Sequence, residues 1–414
     1  VDAAPPFIDE FGPLPVRRPT SVAGLGELVR EAAGSGRGVY PVGGRTTLDV
    51  GFPPIKPGVA VDTTALDQVI DYPARDMTIT VRAGITIAKL QEVLAKEGQW
   101  LPVDVPRPEA ATIGGAVALN KSGPRRLGYG TLRDYVIGIS FVTDEGTEVK
   151  AGGRVVKNVA GYDLMKLQTG AVGTLGVITQ LTLKVRPRPE ASAAVAFGCD
   201  ARHVPEVLDR LHGSPSRPVA VGLLNPLAWQ AAGGSPLGPK PGWVVVAGFE
   251  EKAVTVEWQV STLLGELKAA PIRDVAEFRG PTVGPVWQGL TGLQQRPESR
   301  LIWKVGVPPS RVWEVTTTAI PHLVHAEALS GIAWLHAPDG VGFPAGPSDP
   351  SLQWVEQKVM AACGHYAIRR CPTAWKKSLP VWGRDTGDRE LMRHVKRTLD
   401  PNNVFNPGRL FGDL

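Results

Sequence analysis

Cysteine is scarce: Cys199, Cys363 and Cys371 are the only thiols in 414 residues. An odd number so widely spread argues against a disulfide framework and for a reducing compartment. Three thiols also fall short of the four that an iron–sulfur cluster usually takes, so any such chemistry belongs to a partner. No apolar run approaches the roughly 18 residues of a membrane span, and no charged-then-apolar leader precedes the fold. The net charge is only +5. Its lysines and arginines are scattered, whereas nucleic-acid binding needs a clustered basic face. The dinucleotide fingerprint GxGxxG is missing as well, which argues against the ordinary nucleotide-binding fold.

Glycine and proline are plentiful instead, at 48 and 38 residues. That is below the level of a disordered chain and implies many turns and loops around an otherwise ordinary core, with 43% hydrophobic residues. The length predicts two or three domains. Residues 1–18 are Pro-rich and read as a loosely held arm. A helix from Ser21 to Ala33 follows, with Ser21 as N-cap. Strands are expected at Gly38–Val42, Ala60–Asp62 and Met77–Ala83, with a helix after Thr86. Further strands are expected at Val136–Thr143, Thr147–Lys150 and Gly176–Val185, the first two joined by the turn Asp144-Glu145-Gly146. Pro187 and Pro189 mark the clearest domain boundary.

Beyond it, strands at 192–198, 219–224 and 243–249 interleave with helices at 204–212 and 253–269. Residues 270–298 read as irregular. A second set has strands at 301–307, 325–335 and 366–371 and helices near 310–319 and 352–362. Strand–helix–strand units occurring twice predict an antiparallel sheet covered by helices, as two ferredoxin-like halves side by side. A last helix, Asp388–Leu399, precedes an irregular tail.

Three glycine-rich blocks carry the chemistry. The first, Pro41-Val42-Gly43-Gly44-Arg45-Thr46-Thr47, follows a strand. Successive glycines there expose backbone N–H groups able to wrap a pyrophosphate, to which threonine hydroxyls add donors; a plain glycine turn is the bland reading. The second runs from Thr112-Ile113-Gly114-Gly115 to Asn120-Lys-Ser-Gly-Pro-Arg-Arg-Leu-Gly-Tyr-Gly-Thr-Leu-Arg-Asp134. Its small residues let backbone line a flat ligand, and Ser122, Tyr129 and Arg133 can donate to phosphates or ring oxygens. Arg133 and Asp134 read equally well as a surface ion pair. The third joins Lys157-Asn158-Val-Ala-Gly-Tyr162-Asp163 to Gly170-Ala-Val-Gly-Thr-Leu-Gly-Val-Ile-Thr179. A glycine loop packed beneath a sheet is its structural alternative.

Taken together, SGPRR, YGTLRD, KNVAGYDL and GTLGVIT resemble the FAD domain of the vanillyl-alcohol oxidase/PCMH superfamily, and within it the GlcE-type FAD-binding subunits of glycolate oxidase. The likeness runs through residues 20–186 and returns in the tail Asp400–Leu410, which is similar to that group's DPxxxFNPGR ending. It implies an α+β protein. A PCMH-type FAD-binding domain of two small α/β subdomains (19–187) would be followed by an α+β cap with an antiparallel sheet (188–385). A helix and tail (386–414) would return to the FAD domain.

The resemblance also implies site roles. Val42, Gly43, Gly44, Arg45, Thr46 and Thr47 would hold the pyrophosphate, and Pro102 and Asp104 would begin the wall near the flavin. Thr112, Ile113, Gly114, Gly115, Ser122, Gly123, Tyr129, Gly130, Arg133 and Asp134 would contact phosphates and isoalloxazine. Gly173, Val177 and Ile178 would lie along the adenosine half, with Asn406 folding back toward the flavin edge.

No histidine or cysteine lies in 42–47 or 101–134, the places where some relatives attach FAD covalently, so the cofactor is expected to be dissociable FAD. Related D-2-hydroxyacid dehydrogenases carry a His-rich, metal-binding substrate site in the cap. Here His322 and His325, with Glu327, offer only an incomplete set, and no metal is expected. Arg369, Arg370, Lys376 and Lys377 are candidates for a substrate carboxylate, although each reads more simply as a solvated charge. No catalytic base stands out.

The resulting expectation is an FAD-binding oxidoreductase subunit acting on a small 2-hydroxy acid, glycolate above others. It would work with a catalytic flavoprotein subunit and an iron–sulfur subunit, in the cytoplasm or at the inner membrane face through those partners. A stand-alone FAD-dependent hydroxyacid or alcohol dehydrogenase, and a non-catalytic flavin-binding assembly subunit, remain open.

Overall fold

The computed structural model describes residues 4–154, 161–234, 242–317, 323–340 and 343–414. They form two compact units. The first comprises 1–121, 131–188 and 384–414, and the second comprises 122–130 and 189–383.

The first unit holds two main sheets. β1 (Val16–Arg17), β2 (Gly38–Val42) and β3 (Gly58–Asp62) form a parallel sheet in the order β1-β3-β2. The helix Val22–Gly34 starts where the Ser21 hydroxyl accepts the Gly24 N–H at 3.1 Å. It buries Leu25 and Val29 with Val39, Val59 and Val61. The tail joins the same layer: Val39 N–H donates to the Val404 carbonyl and Asn406 N–H to the Val39 carbonyl.

β4 (Val69–Asp71), β5 (Thr78–Arg82), β7 (Val136–Val142), β8 (Glu148–Gly152) and β9 (Val177–Lys184) build an antiparallel sheet in the order β4-β5-β9-β7-β8. β6 (Gln99–Trp100) pairs separately with β10 (Arg186–Pro187). Ile79, Val81, Leu181 and Leu183 alternate into a core shared with Leu90 and Leu94 of the helix Ile87–Ala95. Residues 4–17 are not a loose arm, because Ile8 and Leu14 are buried against Tyr40, Val42 and Ala60, and β1 adds to β3. The hydrophobic residues between those prolines supply the anchoring.

In the second unit, β11 (Ala191–Cys199), β12 (Ala220–Leu224), β13 (Trp243–Glu251), β14 (Ile272–Arg279), β15 (Ser299–Gly306), β16 (Leu323–Glu327), β17 (Ile332–Pro338) and β18 (His365–Arg370) form one sheet, ordered β14-β11-β13-β12-β16-β17-β15-β18. Every pairing in it is antiparallel. Each half has the ferredoxin-like order, and the halves join edge to edge through β12 and β16.

Residues 270–298 are not irregular: they contain β14 and the helix Val283–Gly292. The sequence IRDVAEFR hides its strand because β14 is an edge, mostly exposed and charged, with no apolar alternation to betray it. Ser122–Gly130 belongs to the second unit rather than to a continuous 19–187 segment. There Gly128 N–H donates to the Val219 carbonyl at 2.9 Å, and Arg125 pairs with buried Glu250 at 2.9 Å. No helix among the described residues is long and apolar enough to cross a membrane.

Candidate functional site

Four stretches distant in sequence meet in the first unit around a cleft with about 940 Å³ of empty space. Its walls are the strand-to-loop run Pro41–Val50, the turn Ala111–Lys121, the loop Val172–Ile178 and the tail residues Asn406 and Arg409.

Each wall is fixed by its own local chemistry. Thr112 caps the short helix Ile113–Ala118 by accepting the Gly115 N–H. Gly114 N–H donates to the Ala83 carbonyl at 2.8 Å, which ties that helix to the end of β5. The loop Gly170–Gly173 is stapled beside it by Gly170 N–H to Val117 O and Val172 N–H to Ala118 O. Gly173 adopts a φ of 64°, where a glycine avoids the left-handed penalty. Asn406 closes the ring, its side-chain amide donating to the Val172 carbonyl at 2.8 Å.

The first glycine pair shows why small residues are required. A Cβ on Gly44 would lie 1.6 Å from the Ala110 carbonyl oxygen, and one on Gly43 would lie 2.2 Å from the Thr112 hydroxyl. Backbone therefore meets backbone across the cleft wall. Arg45, at φ 54°, donates one guanidinium nitrogen to the Ala4 carbonyl at 2.5 Å; its other terminal nitrogen is buried with no hydrogen-bond partner. An orphaned cationic donor in a glycine loop, beside threonine hydroxyls, is a donor set that fits a pyrophosphate. The residues present thus fit FAD. None of the lining side chains is a histidine or cysteine, so the described cleft offers no residue for covalent flavin attachment.

Two charged anchors in the tail hold these walls from behind. The Arg409 guanidinium, almost fully buried, donates to the Phe52 carbonyl at 2.6 Å, the Leu48 carbonyl at 2.7 Å and the Val50 carbonyl. Asp9 lies 3.8 Å away as its counter-charge. Burial pulls the Arg409 pKa down to about 10, against the pull of Asp9, Asp49 and Tyr40. The Lys396 ammonium, equally buried, pairs with Asp400 and donates to the Thr174 and Phe405 carbonyls at 2.9 and 3.0 Å. Asp400 in turn accepts the Val404 and Phe405 N–H groups.

Of the residues singled out from sequence, the cleft gathers Val42, Gly43, Gly44, Arg45, Thr46, Thr47, Thr112, Gly114, Gly115, Gly173, Val177, Ile178 and Asn406. Ile113 points instead into the core of the antiparallel sheet, where Val103 and Val105 also pack. Pro102 and Asp104 are buried away from the lining. Ser122, Gly123, Tyr129 and Gly130 belong to the second unit. Arg133 and Asp134 are exposed, and Asp134 is occupied as a helix cap, accepting the Thr131 N–H at 2.8 Å. Lys157 and Asn158 lie outside the described residues, while Tyr162 is 89% exposed. Ile8, Thr63, Lys121 and Arg409 line the cleft without having been foreseen. Lys121, inside the second glycine-rich block, and Arg409, in the tail motif, are the two that a motif could have flagged.

The second unit carries its own polar cluster. The helix-covered face of its sheet is an apolar core that includes Val221, Phe249, Trp303, Val324 and Leu335. On the opposite face, the β11–β14 half is also apolar, sealed by Trp229 and Trp287. The β15–β18 half instead presents Lys304, His325, Glu327, Trp334 and His336, all at least partly buried. Gln294 donates to Glu327 Oε1 at 3.1 Å and to the Ser122 carbonyl at 3.0 Å. Arg126 donates to the Ser122 hydroxyl at 3.2 Å. Of the carboxylate candidates, Arg370 donates to the Arg296 carbonyl, Arg369 lies over the Trp382 ring, Lys376 is buried and Lys377 is exposed. His322 lies outside the described residues. Among those described, no group of three or more His, Cys, Asp or Glu is placed to hold a metal ion.

Residues 13–152 match the family described as FAD binding domain, and residues 382–410 match the family described as FAD linked oxidases, C-terminal domain. The glycolate oxidase subunit GlcE of Escherichia coli (strain K12) is 40% identical over 86% of this chain and 88% of that protein. A D-2-hydroxyglutarate dehydrogenase of Stutzerimonas stutzeri (strain A1501) is 25% identical over 97% of this chain and 92% of its own length. The mitochondrial D-lactate dehydrogenase [cytochrome] of Arabidopsis thaliana is 27% identical over 90% and 69%. Among solved structures, an alkyldihydroxyacetonephosphate synthase shares the fold, with a TM-score of 0.67 at 18% identity over 95% of this chain and 77% of that one.

Proposed function

This chain belongs to the FAD-linked oxidases of the vanillyl-alcohol oxidase/PCMH type, and from that premise we propose that it is the FAD-binding subunit of a complex that oxidises a D-2-hydroxyacid, glycolate to glyoxylate. Membership makes it an FAD-dependent oxidoreductase acting on hydroxyacids. The observation that supports the FAD-binding part of this reading is the cleft of the first unit, whose walls come from the matched domain, the loop 172–178 and the matched tail. Support for glycolate, and for a catalytic flavoprotein partner, comes from the relative named as a glycolate oxidase subunit. With three scattered cysteines, an iron–sulfur carrier downstream would be a separate chain.

Bound FAD supplies the hydride acceptor for the hydroxyl-bearing carbon. The chain's part is binding and orientation. The backbone of 43–47 and the Arg45 guanidinium would hold the diphosphate, the turn 111–121 would lie along the ring system, and the loop 172–178 with Asn406 would hold the other flank. FAD would be dissociable, because the cleft lining holds no histidine or cysteine.

The visible spectrum of the purified chain, before and after acid precipitation and then with glycolate under anaerobic conditions, tests this. Yellow colour released to the supernatant, with no bleaching by glycolate until a partner subunit is added, is the expected result. Bleaching by the isolated chain would replace the subunit reading with a stand-alone dehydrogenase, the reading favoured by the full-length match to a D-2-hydroxyglutarate dehydrogenase. Colour that no partner renders bleachable would leave an assembly role, and failure to take up FAD would sink the proposal.

A further inference from the structure

The two halves of the second unit's sheet have the same strand order, yet their faces opposite the main helix-covered core differ in kind. In the first half that face is filled by Trp229, Trp287, Leu224, Val244 and Val246. In the second, the corresponding apolar patch shrinks to Ile302, Ile332 and Trp334. Around it stand a lysine, two histidines and a glutamate.

Burying such groups without use costs stability, since each unpaired polar atom forfeits its water. His325 is 2% exposed and both its ring nitrogens lack a hydrogen-bond partner. Its ring lies parallel to that of Trp334, 6.1 Å between centroids, and 6.0 Å from His336. Burial drives its pKa down to about 3, so it is neutral and carries one N–H donor at any physiological pH. Among the described residues Lys304 meets no hydrogen-bond acceptor and no carboxylate within ion-pair distance. Its ammonium lies 5.4 Å from the centre of the Trp334 ring. The charges that act on it are Arg369 and Arg126, which repel it, and Glu327, which attracts it. Glu327 already accepts Gln294. Among the described residues, this leaves the Lys304 ammonium and a His325 ring N–H as unpaired donors on one face of the sheet.

We propose that this face of β15–β17 is a metal-independent binding site for a small carboxylate anion, with Lys304 as its fixed positive charge and the neutral His325 as a second donor. An anion here would meet the Lys304 charge and occupy both donors, which a metal ion beside a lysine ammonium could not do. Lys304 retains partial solvent access, so the site can be reached. As a carboxylate site it deepens the hydroxyacid reading given above. It names Lys304 as the residue that would recognise the acid end of such a compound.

Oxalate, a small carboxylate with no hydrogen to surrender, is the probe, titrated by calorimetry into the full FAD-loaded chain with a chelator present. Wild-type protein should bind it, and Lys304→Met should weaken binding at least tenfold, about 1.4 kcal/mol. Arg300→Gln, removing an exposed arginine of the same strand that pairs with Asp339, should leave it unchanged. Should Lys304→Met not fold, the wild-type pH profile decides. Burial and the neighbouring arginines hold the Lys304 pKa down to about 8. The ammonium is charged below that value, so affinity should fall as pH rises through and beyond it.

Unchanged affinity in Lys304→Met, binding that vanishes with the chelator, equal displacement by sulfate, or a flat profile between pH 7 and 10 would each overturn the site. Glycolate bleaching on the same samples separates the two ideas. Oxalate binding that needs Lys304, without bleaching even with partner subunits, sinks the dehydrogenase reading alone; bleaching with no oxalate site sinks this one alone.

Discussion

Asp400→Ala is expected to destabilise the first unit by about 3–5 kcal/mol, the usual cost of stripping the partner from a buried ion. Asp400 and Lys396 have 0% and 1% side-chain exposure and sit one helical turn apart, so truncation leaves the ammonium without a counter-charge away from bulk solvent. Two backbone donors, Val404 and Phe405, lose their acceptor at the same time. Lys396 also bonds to the Thr174 carbonyl, directly behind the cleft loop 172–178. FAD retention should therefore fall together with stability.

Urea unfolding measures the first effect, and flavin fluorescence of the dialysed protein measures the second. The double variant Asp400→Ala with Lys396→Met should recover a large part of the lost stability, because it removes the uncompensated charge. A single-variant loss below about 1 kcal/mol would mean that the pair is not buried as described. So would a double variant no better than the single one.

Gly44→Val is expected to cut FAD affinity roughly 5- to 150-fold, the range that about 1–3 kcal/mol of overpacking converts to. The cause is positional. The added Cβ would fall 1.6 Å from the Ala110 oxygen and 2.4 Å from its carbon, both backbone atoms that cannot swing aside. Either the loop 43–47 or the turn before Thr112 must move, and both line the cleft. Gly34→Ala serves as the control. Its Cβ would meet nothing within 4 Å and it sits at the end of a helix, so it should leave FAD binding unaltered. FAD affinity, from quenching of flavin fluorescence on binding, would decide; wild-type affinity in Gly44→Val would remove the close approach from the account of the site.

Much of this cleft was legible in the residue order because glycine is informative wherever two backbones must touch. Gly43, Gly44 and Gly173 each have a neighbour that leaves no easy room for a side chain, and all three stood out in sequence. Capping residues were equally legible: Ser21 and Thr86 lie where hydroxyl followed by apolar periodicity places them. Strands such as Ala191–Cys199 and Trp243–Glu251 were visible because most of their length is buried on both faces and, apart from Glu250 and Glu251, every residue is apolar or small. β14 escaped for the opposite reason, being an edge whose exposed residues carry charge. The second block misled in part. Its motif reads as one ligand-binding run, yet Arg133 and Asp134 are spent at the surface, and the run from Ser122 to Gly130 packs with the other unit.

The sequence by itself determined the cofactor class, the two-part α+β organisation and the loops that build the cleft. The cofactor class came from the family resemblance that the combined motifs carry, and the rest from short-range signals: glycine spacing, caps and alternation. Only the tertiary structure decided which charges are buried and what they face. Arg409 looked like any tail arginine until it met three carbonyls of the loop after Thr47, and Lys304 like any strand lysine until its face lay beside His325 and Trp334. The physical reason is that a charge acquires its cost and its role from desolvation and from partners brought close by strand pairing over long sequence separations. Neither quantity is written in the residues next to it.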